Sequence, residues 1–255
     1  WDITQGVGAV VAILDTGVRP HADLGANLLP GYDFVSDVFI ANDGNARDSD
    51  PSDPGDGVVA GGCSTGVPSQ DSSSSWHGTH VAGIVAARGF NGIGISGVAP
   101  AASILPLRVL GRCGGYTSDV ADAIYWAAGY AVSGVPQNAH PARIINMSLS
   151  SNVQASCSQI YADAIAQARA AGALVITAAG NRADNADLYP PGNCPSAFSV
   201  AATNRFGARA SYSNYGATVD VAAPGGSMTS LSDPNGIVST ANDGLMTPGA
   251  DSYVY

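Results

Sequence analysis

Strands and helices alternate through the middle of the chain, and this order limits the possible folds more than any other feature. Apolar runs predict strands at residues 103–110, 143–149 and 173–177, with helical patterns at 116–128 and 161–171 between them. Successive strands that are separated by a helix pair in parallel through right-handed crossovers. The chain is therefore predicted to be an α/β protein, with a doubly wound, mostly parallel sheet and helices on both faces.

Residues 76–87 predict a buried helix with a histidine at its start. Ala and Val dominate this stretch, and no charged residue lies between His77 and Arg88, which is the pattern of a helix buried on nearly every face. An imidazole protonates closer to neutral pH than any other side chain, so His77, held rigidly, is suited to act as a general base. His80 is predicted to be structural, packed or hydrogen-bonded within the first turns of the same helix.

Two further stretches place polar side chains where buried strands end. A strand predicted at residues 7–14 leads into Asp15, and the strand at 173–177 leads through small residues to Asn181. In an open α/β sheet, functional sites are built at the carboxyl ends of the strands. An aspartate can orient a histidine, and an asparagine side chain can donate to a developing oxyanion, so both residue types suit acyl transfer.

In this order, the stretches around Asp15, His77 and Asn181 resemble the Asp, His and Asn motifs of the subtilisin-like serine proteases. The similarity covers nearly the whole chain and includes downstream motifs at residues 201–204, 211–216 and 222–225. It implies that His77 takes the proton of an attacking serine, that Asp15 fixes the histidine tautomer, and that Asn181 donates to the oxyanion.

The resemblance also implies where a protein or peptide substrate would bind. Ser148, Leu149 and Ser150 resemble the strand beside which the substrate extends, and main-chain pairing of this kind gives broad specificity. A hydrophobic first subsite is implied, with a small-residue wall formed by Ala178, Ala179 and Gly180.

Two departures from the family pattern concern the chemistry itself. The substrate strand usually continues Ser-Leu-Gly-Gly, whereas here Ser150 and Ser151 follow Leu149. The Gly-Thr-Ser-Met-Ala segment that carries the nucleophile is absent, and the chain stops at Tyr255, about where it would begin. We therefore expect residues 1–255 to be truncated before the nucleophile segment, to be completed by a separate C-terminal chain that carries the serine, or to be inactive.

Composition excludes several classes of function. The net charge of −10 argues against nucleic-acid binding, which requires a basic patch. No run of 18 apolar residues exists, so no membrane span is predicted, and the absence of Glu excludes any mechanism that needs a glutamate base. With 255 residues, 45% of them hydrophobic, the chain is expected to form a single domain over residues 1–255 and to be a monomer.

The four cysteines indicate an extracellular protein. The chain has no Cys-x-x-Cys pair of the kind that binds zinc. Disulfides are therefore expected, and four reduced buried thiols are the alternative. Of the three possible pairings, Cys63 with Cys113 and Cys157 with Cys194 encloses the shorter loops and is the one that the resemblance implies. The chain begins at Trp1 without Met, as expected of a protein processed from a secreted precursor.

An acidic loop predicts a structural calcium site. Five carboxylates lie within the fourteen residues from Asp43 to Asp56, and crowded oxygen ligands repel one another unless a cation intervenes. The expected ligands are Asp48, Asp53 and Asp56, with Asp23 as a further candidate. The alternative is a solvated acidic surface.

Together these features predict a secreted serine endopeptidase that uses an Asp/His/Ser triad. The main alternative is a non-catalytic subtilisin-like scaffold that keeps the peptide groove. A weaker alternative is a lipase or esterase that uses Ser64, because residues 62–66 match Gly-x-Ser-x-Gly. That motif requires a strand before the serine and a helix after it, whereas this stretch is predicted to be a loop.

Overall fold

The structure is a computed structural model that describes residues 1–227 and 233–255. Its strands and helices follow the predicted alternation, with ends shifted by up to three residues. The strands are β1 (Val10–Asp15), β2 (Tyr32–Asp33), β3 (Ser103–Arg108), β4 (Ile144–Met147), β5 (Leu174–Ala178), β6 (Phe198–Thr203), β7 (Val221–Pro224), β8 (Ser239–Asn242) and β9 (Asp251–Val254). The helices are α1 (Val38–Ala41), α2 (His77–Ala86), α3 (Thr117–Ala127) and α4 (Gln159–Ala170), with 3-10 turns at Gly25–Asn27 and Ala186–Leu188.

Seven strands form one sheet in the order β2-β3-β1-β4-β5-β6-β7, and every pair in it is parallel. The predicted doubly wound α/β fold is therefore confirmed. After β1 the chain forms β2 at the edge of the sheet and then β3 between β2 and β1, before it returns to place β4 on the other side of β1. Ligands of open α/β sheets bind at such a reversal of strand order, outside the carboxyl ends of the strands. In this sheet, Asp15 ends a strand at that point.

Helices cover both faces of β1, which explains its continuous apolar sequence. Val11 and Ile13 pack with Ala82 of α2 in one core cluster. Ala12 and Leu14 point to the opposite face, where a larger cluster includes residues of α3 and α4. Because successive side chains of a strand alternate between faces, β1 anchors both layers and holds Asp15 rigidly at its end.

Helix α2 is less completely buried than its sequence predicts. Its buried residues are Gly78, Thr79, Ala82, Gly83 and Ala86, and the remaining positions are half-buried or exposed. The apolar run therefore reflects close packing along one broad face. Within the described residues, no helix combines the length and apolar character needed to cross a membrane.

A two-stranded antiparallel hairpin, β8–β9, was not predicted. Ser239 pairs with Val254 and Asn242 with Asp251, and both strands are rich in Ser, Thr, Asn and Asp. Such strands lack the apolar alternation by which a strand is recognised in sequence. The hairpin packs on α2, so tertiary contacts, rather than local pattern, define it.

Two disulfides join Cys63 to Cys113 and Cys157 to Cys194, which is the predicted pairing. The first bridge ties the loop before α2 to the loop after β3. The second ties the start of α4 to the loop before β6. Both therefore fasten loops that leave the carboxyl ends of the strands.

We expect loss of the second bridge to lower stability markedly. It closes a loop with a sequence separation of 37, and loop-closure entropy of this size contributes about 4 kcal/mol. Cys157→Ser with Cys194→Ser should therefore lower the melting temperature by roughly 10 °C. Differential scanning calorimetry of this double variant, beside the matched Cys63→Ser and Cys113→Ser pair, checks the value. A shift below about 2 °C would contradict it.

Candidate active site

Asp15 and His77 meet where β1 ends and α2 begins. Asp15 is completely buried, and the Nδ1 atom of His77 donates to its Oδ1 and Oδ2 atoms at 2.8 and 2.9 Å. The main-chain N–H of Thr16 also donates to Oδ1 at 2.8 Å. Because a carboxylate only accepts hydrogen bonds, Nδ1 must carry the proton. The Nε2 atom of a neutral ring is then the basic nitrogen.

Gly78 allows this close approach of helix and strand. A side chain at position 78 would collide with the main-chain oxygen of Gly17 and would lie 3.1 Å from the Cβ atom of Asp15. Thr16 completes the junction, because its hydroxyl accepts from the Gly78 N–H at 3.1 Å and donates to Asp53 at 2.6 Å. The small residue after His77 is therefore a packing requirement of the Asp15–His77 pair.

The charge of Asp15 governs the protonation of His77. It is the largest cause that raises the pKa of His77 to about 9; burial opposes it, while the Asp15 hydrogen bond and the charges of Asp56 and Asp53 support it. The imidazolium is thus stabilised strongly by its partner. The same arrangement stabilises a histidine that has just accepted a proton.

This shift predicts a pH dependence of stability. A histidine with a folded-state pKa near 9, above its ordinary 6.5, adds stability that is fully present below pH 6.5 and is lost as the pH rises to 9. The difference in unfolding free energy between the protein and His77→Gln should therefore shrink between pH 6.5 and 9. Urea unfolding at several pH values measures it, and a difference that stays constant or grows would contradict the assignment.

His77 stands at the edge of a cleft of about 630 Å³. Its side chain is 45% exposed, and Ser148, Leu149 and Ser150 line the same cleft, so the structure brings these predicted residues together. Residues that sequence reasoning did not assign also line it, including Gly114, Gly115, Ser151, Asn152, Ala155, Pro190 and Pro191. The paired glycines and prolines mark turns in the sequence, but no local signal places those turns beside His77.

Ser148, Leu149 and Ser150 continue from β4 but do not belong to the sheet. The strand ends at Met147, two residues earlier than predicted. Within residues 1–227 and 233–255, the main-chain groups of these three residues form no hydrogen bond with other main-chain groups. Their main chain is therefore open to pairing with a ligand.

The predicted small-residue wall does not line the cleft. Ala178, Ala179 and Gly180 are absent from its lining, and Ala179 is buried in a cluster with Ala186. Gly180 lies directly behind Ser150, since a Cβ atom at position 180 would be 3.1 Å from its Oγ atom. The small residues therefore permit close packing behind the cleft.

Asn181 follows this packed turn and is exposed. Among the described residues, no hydrogen bond involves its side chain. Asn214, in contrast, stabilises the main chain on both sides of Asn181. Its side-chain amide donates to the Ala179 main-chain oxygen at 2.9 Å and accepts from the Arg182 N–H at 2.9 Å. The amide of Asn181 is thus available to a ligand.

The four predicted calcium ligands do not form one site. Each has its own hydrogen-bond donors: Asn91 and Ile95 for Asp23, Asn45 and Asp50 for Asp48, Thr16 and Gly55 for Asp53, and Ser75 for Asp56. Within the described residues, no three His, Cys, Asp or Glu side chains are grouped so that they could hold a metal ion. N–H and O–H groups of the protein therefore occupy acceptor positions on all four carboxylates.

Neither Ser75 nor Ser64 is placed to act as the nucleophile. Ser75 accepts from the main-chain N–H of His77 at 3.3 Å and donates to Asp56 at 2.8 Å. Ser64 forms an isolated bridge with Val67 inside a loop, so the strand and helix that an esterase serine requires are absent around it. Among the described residues, the His77 ring hydrogen bonds only to Asp15.

Comparison with known proteins identifies the family. The family model of the subtilases (peptidase S8) matches residues 6–253. The chain is 52% identical over 253 residues to an extracellular protease of Xanthomonas campestris pv. campestris, and 46% identical over 257 residues to an extracellular basic protease of Dichelobacter nodosus. Each match covers 99% of this chain and 41% of the relative, so the chain spans about two fifths of their length.

A solved structure agrees with these matches. A protease from Pseudoalteromonas arctica superposes with a TM-score of 0.97 at 55% identity, covering all of this chain and 74% of the other. The family match covers nearly the whole sequence. The parallel sheet and the Asp15–His77 pair at its edge are consistent with that family. The chain belongs to the subtilase family.

Proposed function

We propose that this chain forms part of a secreted serine endopeptidase whose nucleophilic serine lies on a segment beyond Tyr255. The observation that carries the proposal is the Asp15–His77 pair, with hydrogen bonds of 2.8 and 2.9 Å at the edge of a cleft. Secretion is supported by the two disulfides and by the extracellular proteases among the relatives. We also propose that residues 1–255 act as a single domain, because the β8–β9 hairpin packs on helix α2, which itself packs on β1 of the seven-stranded sheet.

The chemistry follows from the protonation of His77. The serine hydroxyl attacks the peptide carbonyl carbon while its proton passes to Nε2, and Asp15 stabilises the resulting imidazolium. Asn181 donates to the oxyanion of the tetrahedral intermediate. His77 then protonates the leaving amine, and water attacks the acyl-enzyme by the same route in reverse.

Substrate would bind in extended form beside Ser148, Leu149 and Ser150. The support is that their main-chain groups have no main-chain partners among the described residues and that all three line the cleft of His77. Main-chain pairing adds a strand without requiring a particular sequence. Broad specificity is therefore proposed.

A non-catalytic, peptide-binding scaffold is the second candidate. It is favoured by the absence of any serine contact to the His77 ring among the described residues. Such a protein would keep the groove along residues 148–150 and perform no chemistry. The two candidates make opposite predictions for covalent labelling.

A fluorophosphonate probe separates them. Residues 1–255 and a longer form that continues beyond Tyr255 are treated in parallel, and the modified peptide is located by mass spectrometry. The endopeptidase predicts labelling of one serine beyond Tyr255, in the longer form alone. An unlabelled longer form would establish the scaffold, and a label on Ser64 would establish an esterase. Inhibitor-sensitive casein hydrolysis by residues 1–255 would place the nucleophile inside this chain.

Asn181→Ala should lower the kcat of the longer form by about 10² to 10³, which is the loss known for removal of such a donor in a protease of this family. The KM value should change little, since the oxyanion exists only in the transition state. Steady-state hydrolysis of a peptide anilide gives both parameters. A large rise in KM, or a lowered melting temperature, would show that Asn181 acts in binding or folding instead.

A further inference from the structure

The C-terminal hairpin is seated directly on the main chain of α2. The Thr240 hydroxyl donates to the main-chain oxygen of Thr79, and the Ser239 hydroxyl to that of His80, both at 2.7 Å. A side chain at Gly83 would collide with both hydroxyls. The helix that carries His77 at its start thus carries the hairpin along its following turns.

His80 joins the two ends of this hairpin. Its Nε2 atom lies 3.1 Å from the main-chain oxygen of Ile237, just before β8, and 3.3 Å from that of Val254, the last residue of β9. Carbonyl oxygens only accept, so Nε2 must carry the proton and donate to both. Burial lowers the pKa of His80, which favours the neutral ring. His80, predicted to be structural, therefore hydrogen bonds to residues at both ends of the hairpin.

A second histidine holds the same edge of β9. Nδ1 of His21 accepts from the Asp23 N–H at 3.1 Å, so Nε2 is the donor to the Ser252 oxygen at 3.2 Å. The Tyr253 hydroxyl donates to Asp23 at 3.3 Å. Ser252 and Val254 are two residues apart, so their carbonyls point to one edge of the strand. Histidine donors therefore reach two carbonyls of β9 that lie two residues apart.

We propose that His80 is a positioning residue, which fixes the segment following Val254 against the helix that presents His77. This inference rests on the proposed function, in which the nucleophile lies beyond Tyr255. His80 is three residues from His77, or about 4.5 Å along the helix axis. Val254 is therefore held by a side chain that starts about one helical turn from the general base. Because a misplacement of about 1 Å can cost 10² in rate, a fixed exit point matters for attack.

Labelling kinetics test this role in the longer form. His80→Met replaces the ring with an apolar side chain that has no N–H donor, whereas His80→Gln retains an N–H donor. We expect His80→Met to lower the maximal rate of fluorophosphonate labelling by at least about tenfold, with probe affinity within about twofold of the unmodified protein, and His80→Gln to restore most of the rate. His140→Met is the matched control, since among the described residues His140 forms no hydrogen bond to the hairpin and uses its main-chain N–H to donate to the Asn138 side chain.

Two results of this experiment would overturn the inference: an unchanged rate in His80→Met, or equal losses in His80→Met and His80→Gln. If the unmodified longer form is not labelled, the proposed function fails, and a second measurement decides the role of His80. In residues 1–255, His80→Met should speed amide hydrogen exchange in β8 and β9 by about tenfold, with α4 unchanged and a smaller effect for His80→Gln. Equal exchange in the variant and the unmodified chain would refute the anchoring itself.

Discussion

His77→Ala is expected to lower the kcat of the longer form by about 10⁶, the size of loss established for the corresponding histidine in a subtilisin. Among the described residues, the other hydrogen bond to the buried Asp15 carboxylate comes from the main-chain N–H of Thr16, which cannot act as a base. The KM value should stay within a few-fold, since the substitution leaves the proposed substrate groove along residues 148–150 unchanged. Hydrolysis of a peptide anilide and fluorophosphonate labelling both report the change.

The control for this variant is His140→Ala, which removes a histidine outside the cleft. Its kcat should equal that of the unmodified protein. Folding is checked through the melting temperature, because His77 is 45% exposed and its loss should leave little cavity. A variant that retains more than about 1% of the activity would contradict the role of His77 as the general base.

Asp15→Asn is expected to lower kcat by about 10⁴. An amide in this position can donate as well as accept, so it no longer requires the proton on Nδ1. The charge that raises the pKa of His77 to about 9 would also vanish, while burial, which lowers that pKa, would remain. The pKa of His77 should therefore fall well below 9.

Imidazole NMR signals measured as a function of pH, compared with His77→Gln for assignment, give this pKa in residues 1–255 without any catalytic turnover. The titration thus tests the Asp15–His77 coupling separately from the protease proposal. An unchanged pKa in Asp15→Asn would show that Asp15 is not the dominant cause. An unchanged kcat with a lowered pKa would show that orientation by Asp15 is dispensable.

The sequence predicted the sheet because its signals are local. The apolar run that ends at Asp15 and the alternation of strands with helices are properties of short windows, and chirality rules limit how such elements join. The Asp15 and His77 pair could also be predicted, since both residues stand at element ends that the resemblance assigns to one site. Hairpin β8–β9 escaped prediction because its polar strands carry no such local pattern.

The sequence by itself determined the order of elements, the α/β class and the residues that meet at the strand ends, because these depend on periodicity and chain order. Only the tertiary structure decided how carboxylates and small residues are used. Asp53 and Asp56, for example, accept hydrogen bonds from different donors. Likewise His80 bonds to Val254, 174 residues away. Hydrogen-bond partners so distant in sequence follow from packing, which no window of sequence encodes.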